Sequence, residues 1–248
     1  MTEQAEWAAM TDLLFLRDAY LREFDATVTD VDPDGQRIAL DRTAFYYTSG
    51  GQPHDTGMLG VLGVTDVGKE GDTVWHTVGG EAADLPVVGD PVHGRIDWDR
   101  RYKLMRTHTA LHILCGVIWN QWQVPVTGAN MEPLAARMDF AFDPLPDGFK
   151  EIVERLVNDE IMADRPIEVT FLARSEAVLD DDLIRTQVNL IPESVTEIRV
   201  VDIVGLDKQA DGGTHVASTG EVGAVRVTKS ESKGKGNKRL RIEVGDAP

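Results

Sequence analysis

The 248-residue chain holds a single cysteine, Cys115. One thiol excludes an intrachain disulfide framework and agrees with a reducing compartment. No run of eighteen apolar residues occurs, so no membrane-spanning helix is expected. The first residues, MTEQAE, lack the basic and apolar regions of a signal peptide, and the expected location is the cytoplasm. Lysine is scarce too: eight residues stand against 26 aspartates and 16 glutamates, and the net charge is −17. Such a balance argues against a generally basic, nucleic-acid-binding surface. It suggests a protein working in high salt, where a Debye length of about 3 Å at 1 M would screen its self-repulsion.

What the chain does have is a pair of compact histidine motifs. In RTHTALHILC, residues 106–115, His108 and His112 lie four residues apart in a segment that reads as helix. On a helix these positions sit one above the other with Cβ atoms about 5–6 Å apart, so both imidazoles can converge on one ion. Taken alone, the same pair also suits surface histidines or satisfied core ones. About a hundred residues later, QADGGTHV at 209–216 repeats the four-residue offset with Asp211 and His215, this time across two glycines. Glycines there point to a loop folded round an ion. Three histidines and a carboxylate suit zinc, one ion per chain. The helical spacing is also that of metalloprotease helices, but those need a glutamate as general base where this chain has Thr109.

Length allows one large domain or two modest ones. Residues 26–31 and 36–40 alternate about a Pro33-Asp-Gly35 turn, which predicts a hairpin; further strands are expected at 57–67, 72–78 and 91–98. Many short strands at this spacing suggest a small barrel. Residues 84–91 read as a linker, which puts the boundary near 95 and gives domains 1–95 and 96–248. Residues 11–24 mix helical and extended signals. The second domain should open with a helix over about 100–121, followed by a strand at 137–142, a helix at 149–163 closed by Pro166, a strand at 166–172 and a short helix at 174–179. A buried strand at 195–204 and a hairpin of 222–227 with 238–244 complete the expectation.

RTHTALH, then ARMDF at 136–140 and ADGGTHVASTGEVG at 210–223, resembles the editing domain of alanyl-tRNA synthetase and its freestanding relatives, the alanyl-tRNA editing proteins. FYYTSGGQPHDTG at 45–57 looks like the glycine-rich motif of the longer freestanding class, AlaX-M. The resemblance runs in order over most of the chain. It implies an α+β fold with an N-terminal small β-barrel followed by an α/β two-layer editing domain. It also implies that the loop at 49–53 faces the editing pocket, where Gln52 and the amides of Gly50 and Gly51 could bind substrate, with Thr127 and Arg137 as further substrate contacts. One departure stands out: the family usually has cysteine where this chain has Asp211. Cys115, on the same helical face as His108 and His112, could replace it or simply pack as a small apolar residue.

The implied activity is zinc-dependent hydrolysis of mischarged tRNA for alanine, carrying serine in the first place and glycine in the second. A chain too short for a synthetase's activation domain would do this in trans, as a monomer or weak dimer. Serine differs from alanine by one hydroxyl, which a small apolar synthetase pocket rejects poorly, so a second hydrolytic site is needed. The ion could lower the pKa of a water or polarise the ester, with three histidines leaving a fourth position open if Asp211 yields it. Alternatively it orients the substrate amino group or merely holds the loop. Cations gather at 95–106 and 226–241, and Arg100, Arg101, Lys103, Lys233, Lys235 and Lys238 are the candidate phosphate contacts, solvated faces being the plain alternative. A deacylase of another aminoacyl-tRNA and a tRNA-binding module with a structural zinc remain open.

Overall fold

The computed structural model describes residues 10–142, 144–177, 183, 196–234 and 236–246. Its architecture is α+β and rich in strands. The chain divides into two compact units, one of residues 1–49 and 53–101, the other of residues 50–52 and 102–248.

In the first unit the ambiguous stretch after residue 10 becomes a two-residue strand, β1 (Asp12–Leu13), and a turn of 3-10 helix over Leu14–Leu16. There follow β2 (Glu23–Asp32), β3 (Arg37–Leu40), β4 (Arg42–Thr43), β5 (Gly57–Leu59), β6 (Leu62–Glu70), β7 (Thr73–Val78) and β8 (Pro91–Ile96). Six of them pair in a closed ring, in the order β2, β3, β7, β6, β5, β8. Alternation decides what fills it: Phe24, Ala26 and Val28 of β2 point inward with Ile38, Leu40, Val64, Val74 and Val78. The single strand expected over 57–67 is two, because Gly60, at φ 57°, turns the chain back between β5 and β6. The strand expected to 98 stops at Ile96, since Asp97 caps the next helix by accepting the Arg100 amide at 3.2 Å.

That helix, α1 (Trp98–Trp122), is central to the second unit. From Leu104 to Ile118 it is buried on nearly every side, which explains its lack of a polar stripe. Gln123, with φ 54°, and Pro125 end it. A four-stranded sheet is ordered β14 (Val225–Ser232), β15 (Lys238–Val244), β10 (Ala135–Phe140), β9 (Val126–Glu132). The glycine, asparagine and glutamate of β9 hide its strand character in the sequence. Helix α2 (Phe149–Met162) buries Phe149, Val153, Val157 and Ile161, and its Asn158 pairs with both backbone groups of Val225, closing part of an edge strand. A second sheet joins β11 (Ile167–Ala173), β12 (Glu197–Ile203) and β13 (Asp207–Ala210) in that order. The short helix α3 spans Arg174–Ala177; the rest of the expected 174–179 helix and residue 195 lie outside the described residues.

Candidate metal centre

Helix α1 supplies the first half of the site. His108 and His112 sit on successive turns with ring centroids 5.0 Å apart, and both are buried. The second half comes from the loop that leaves β13. Its entry is fixed by Arg199 of β12, whose carbonyl accepts the Asp211 amide at 3.1 Å and whose guanidinium donates to the Asp211 carbonyl at 2.9 Å. Asp211 Oδ2 then accepts the Gly213 amide at 2.7 Å, which tightens the turn and brings His215 inward. A Cβ on Gly213 would run into the His108 ring and lie 2.8 Å from Gln52 Oε1, so glycine is required there by close approach.

The four side chains meet. His215 stacks on His108 at 4.3 Å between centroids and meets His112 edge-on at 4.6 Å. Nε2 of each histidine turns toward the Asp211 carboxylate, at 3.0 Å from His215, 3.7 Å from His108 and 4.0 Å from His112. One donor atom from each of the four residues lies within 4.8 Å of all the others. A tetrahedron with zinc-to-nitrogen arms of 2.0–2.1 Å has edges of about 3.3 Å, so an ion would draw the most widely spaced donors together by up to about 1.5 Å. Among the described residues, the only buried side-chain polar atoms without a hydrogen bond are His108 Nδ1 and His112 Nδ1. Crowding three imidazoles round one carboxylate is hard to justify by packing alone, and the donor set fits zinc. Cys115 is buried and is not part of the group.

Electrostatics favour lone pairs over protons on two of the three rings. Burial lowers the pKa of His108 to about 4, and burial with the neighbouring His108 ring holds that of His215 well below its ordinary value. Burial also opposes charge on His112, but the carboxylates of Asp207 and Asp211 outweigh it and raise its pKa. Burial disfavours the Asp211 carboxylate, yet His108 and His215 overcome that and keep it well below the usual carboxylate range. The result is an ionised carboxylate facing two imidazoles that burial holds unprotonated, His108 and His215, with His112 the one ring whose charged form the carboxylates favour.

Other expected site residues fall in varied places. Gln52 is buried, and both ends of its amide go to Thr214: Nε2 donates to Oγ1 at 2.9 Å and Oε1 accepts the amide at 3.2 Å. Gly51, at φ 87°, accepts the Met131 amide at 3.1 Å, and a Cβ on it would lie 2.9 Å from the Ala129 carbonyl; Gly50 is also left-handed, at φ 58°. Thr127 is exposed and donates to Asn237 at 3.0 Å, while Arg137 donates to Asp139 at 3.3 Å. Arg101 must be corrected. It is fully buried, paired with Asp55 and bonded to the carbonyls of Ala19 and Ala44, so it cannot reach a phosphate. Arg100 donates to the His54 carbonyl at 3.0 Å and is half-buried, as is Lys103. Lys233 and Lys238 flank the β14–β15 tip, and Lys235 lies outside the described residues. Sequence reasoning did not single out Arg199, Thr214 or Asp207 for the site. No local pattern marks them, because each acts through a partner on another element.

Comparison with known proteins follows the same geography. The family described as threonyl and alanyl tRNA synthetase second additional domain matches residues 198–241, and class II (A) tRNA synthetases match residues 9–100. The alanyl-tRNA editing protein AlaX-M of Methanosarcina acetivorans is 39% identical over 247 residues, covering 96% of this chain and 100% of its own length. Its namesake from Saccharolobus solfataricus is 35% identical, over 95% of this chain and 99% of its own. The alanine–tRNA ligase of Pyrobaculum aerophilum is 39% identical over 97% of this chain, which spans 28% of that ligase.

Proposed function

This chain belongs to the alanyl-tRNA editing proteins of the AlaX-M kind, and on that premise we propose that it hydrolyses the aminoacyl ester of mischarged tRNA for alanine, serine before glycine, at a zinc ion held by His108, His112, His215 and Asp211. The observation that carries the reading is the convergence of three Nε2 atoms on the Asp211 carboxylate. Bound there, zinc would supply Lewis acidity toward the ester carbonyl or an attacking water.

The chain's own residues supply the rest. His108 and His112 offer lone pairs from a rigid helix, and burial keeps His108 unprotonated. Arg199 fixes Asp211, so a carboxylate that binds zinc less firmly than thiolate is nonetheless held in register. Gln52 ties the glycine-rich loop to Thr214 beside the ligands, which puts Gly50, Gly51 and Gln52 next to the aminoacyl group in this reading. Thr127 and Arg137 join them only if Asn237 and Asp139 release them. Arg100, Lys103, Lys233, Lys235 and Lys238 are the proposed contacts to the tRNA backbone.

A second reading draws on one feature: Asp211 completes a four-ligand set, and four protein ligands close a tetrahedron around a structural ion. Release of labelled serine from seryl-tRNA for alanine separates the two. Zinc-loaded protein in high salt should release serine rapidly, and His108→Ala should not. If the unaltered protein binds the charged tRNA and protects its ester, the deacylase reading fails and the tRNA-binding module with a structural ion replaces it.

A further inference from the structure

Each histidine of the centre has a second ring nitrogen, and the outer sides of the rings are occupied differently. Thr109, one residue after His108, is fully buried, and its Oγ1 lies 3.1 Å from His215 Nδ1 while accepting the Val216 amide at 3.3 Å. A single hydroxyl thereby joins α1 to the loop that carries the third histidine. Asp207, at the start of β13, has a side chain only 1% exposed and accepts from the Gln209 amide at 2.5 Å. Its Oδ2 stands 3.6 Å from His112 Nδ1, less than an ångström beyond hydrogen-bond length. The third ring, His108, rests its Nδ1 edge against Gly213.

Close packing makes this placement necessary. Asp207 is pressed against α1 at Gly116, where an added Cβ would lie 2.8 Å from Asp207 Cβ. A buried carboxylate costs several kcal/mol unless a charge or a ring of hydrogen bonds compensates it. Asp207, which accepts one such bond from Gln209, stands at this depth beside the Nδ1 edge of His112. An imidazole that binds metal through Nε2 must carry its proton on Nδ1, and an acceptor at Nδ1 selects that tautomer and the ring's rotation.

We propose that Thr109 and Asp207 are positioning residues, which accept the Nδ1 protons of His215 and His112 and so turn both Nε2 lone pairs toward the ion. The inference rests on the metal-centre reading above. It gives Thr109 a role that its place in the motif did not reveal: unable to act as a general base, it orients a ligand from the next element. It also makes the two sides unequal, because His112 is backed by a carboxylate and His215 by a neutral hydroxyl. His112 is accordingly the stronger donor.

Zinc affinity, measured by competition with a chromophoric chelator, and the visible spectrum of the cobalt-loaded protein provide the test. Asp207→Asn and Thr109→Val should each weaken zinc binding about 10- to 100-fold and shift the cobalt bands, and Thr109→Ser should restore both. Asn120→Ala is the control. It removes the bond from Asn120 to the Leu206 carbonyl, which fastens the same turn to α1 without touching a histidine, and should lower stability while leaving affinity and spectrum unchanged. Variants that bind zinc as tightly as the unaltered protein, with the same cobalt spectrum, would overturn the inference and leave the metal centre standing. So would a matching loss of affinity in Asn120→Ala, which would show that any loosening of the turn suffices. An unaltered protein that binds neither metal would overturn the centre itself, and this inference with it.

Discussion

Replacing Asp55 with alanine should unfold the first unit more readily than any surface change. The Asp55 carboxylate is fully buried against the guanidinium of Arg101, which is buried as completely. Arg101 Nε lies 3.0 Å from both carboxylate oxygens, Nη2 makes a further bond, and Asp55 also accepts the Tyr46 amide at 2.6 Å. Asp55→Ala leaves a buried cation with only the carbonyls of Ala19 and Ala44. Breaking one side of a buried pair costs about 3–5 kcal/mol, and an orphaned buried amide about 1–3 kcal/mol. We expect a loss of about 4 kcal/mol or more, read from urea unfolding of the full chain. Asp55→Ala with Arg101→Met should recover part of it, because no uncompensated charge then remains. A loss below about 1 kcal/mol for Asp55→Ala would mean that Arg101 reaches water, and would restore it as a phosphate contact.

Three further outcomes can be checked. His76 is buried, its Nδ1 3.0 Å from the Ile38 carbonyl and its Nε2 2.8 Å from Thr43 Oγ1, and burial lowers its pKa to about 4. The unfolded chain takes up this proton below about pH 6.5 and the folded one only near 4. Stability should therefore fall on acidification through that window, by about 3 kcal/mol from this group, and His76→Gln should flatten the fall measured by urea unfolding. Gly213→Ala should displace His108 and reduce zinc stoichiometry in dialysed samples; full loading would refute the close approach. With a net charge of −17, the melting temperature should rise between about 0.1 and 2 M KCl, and full stability in dilute buffer would remove the high-salt expectation.

Local patterns and long-range contacts contributed differently to what could be read in advance. The four-residue offset of His108 and His112 made the histidine pair on α1 legible, and a 3.6-residue apolar period made α2 legible; alternation about a Pro-Asp-Gly turn made the β2–β3 hairpin legible. The Asp211–His215 loop was legible because two glycines interrupt it. Strand β9 was not, since Thr-Gly-Ala-Asn-Met-Glu has the composition of a loop and is held extended by β10 beside it.

By itself the sequence determined the candidate donor side chains, their offsets and the elements that carry them, because those depend on neighbours within a turn or two. Only the tertiary structure decided that α1 and the β13 loop, separated by about a hundred residues, bring their donors within 4.8 Å. It also decided that Arg101 is a buried partner of Asp55, that Gln52 spends its amide on Thr214, and that Thr109 and Asp207 stand behind two of the histidines. A charge or hydroxyl looks the same in a sequence whether it faces water or another element. Burial and the partner across the fold separate those cases, and both are properties of chain closure over long distances.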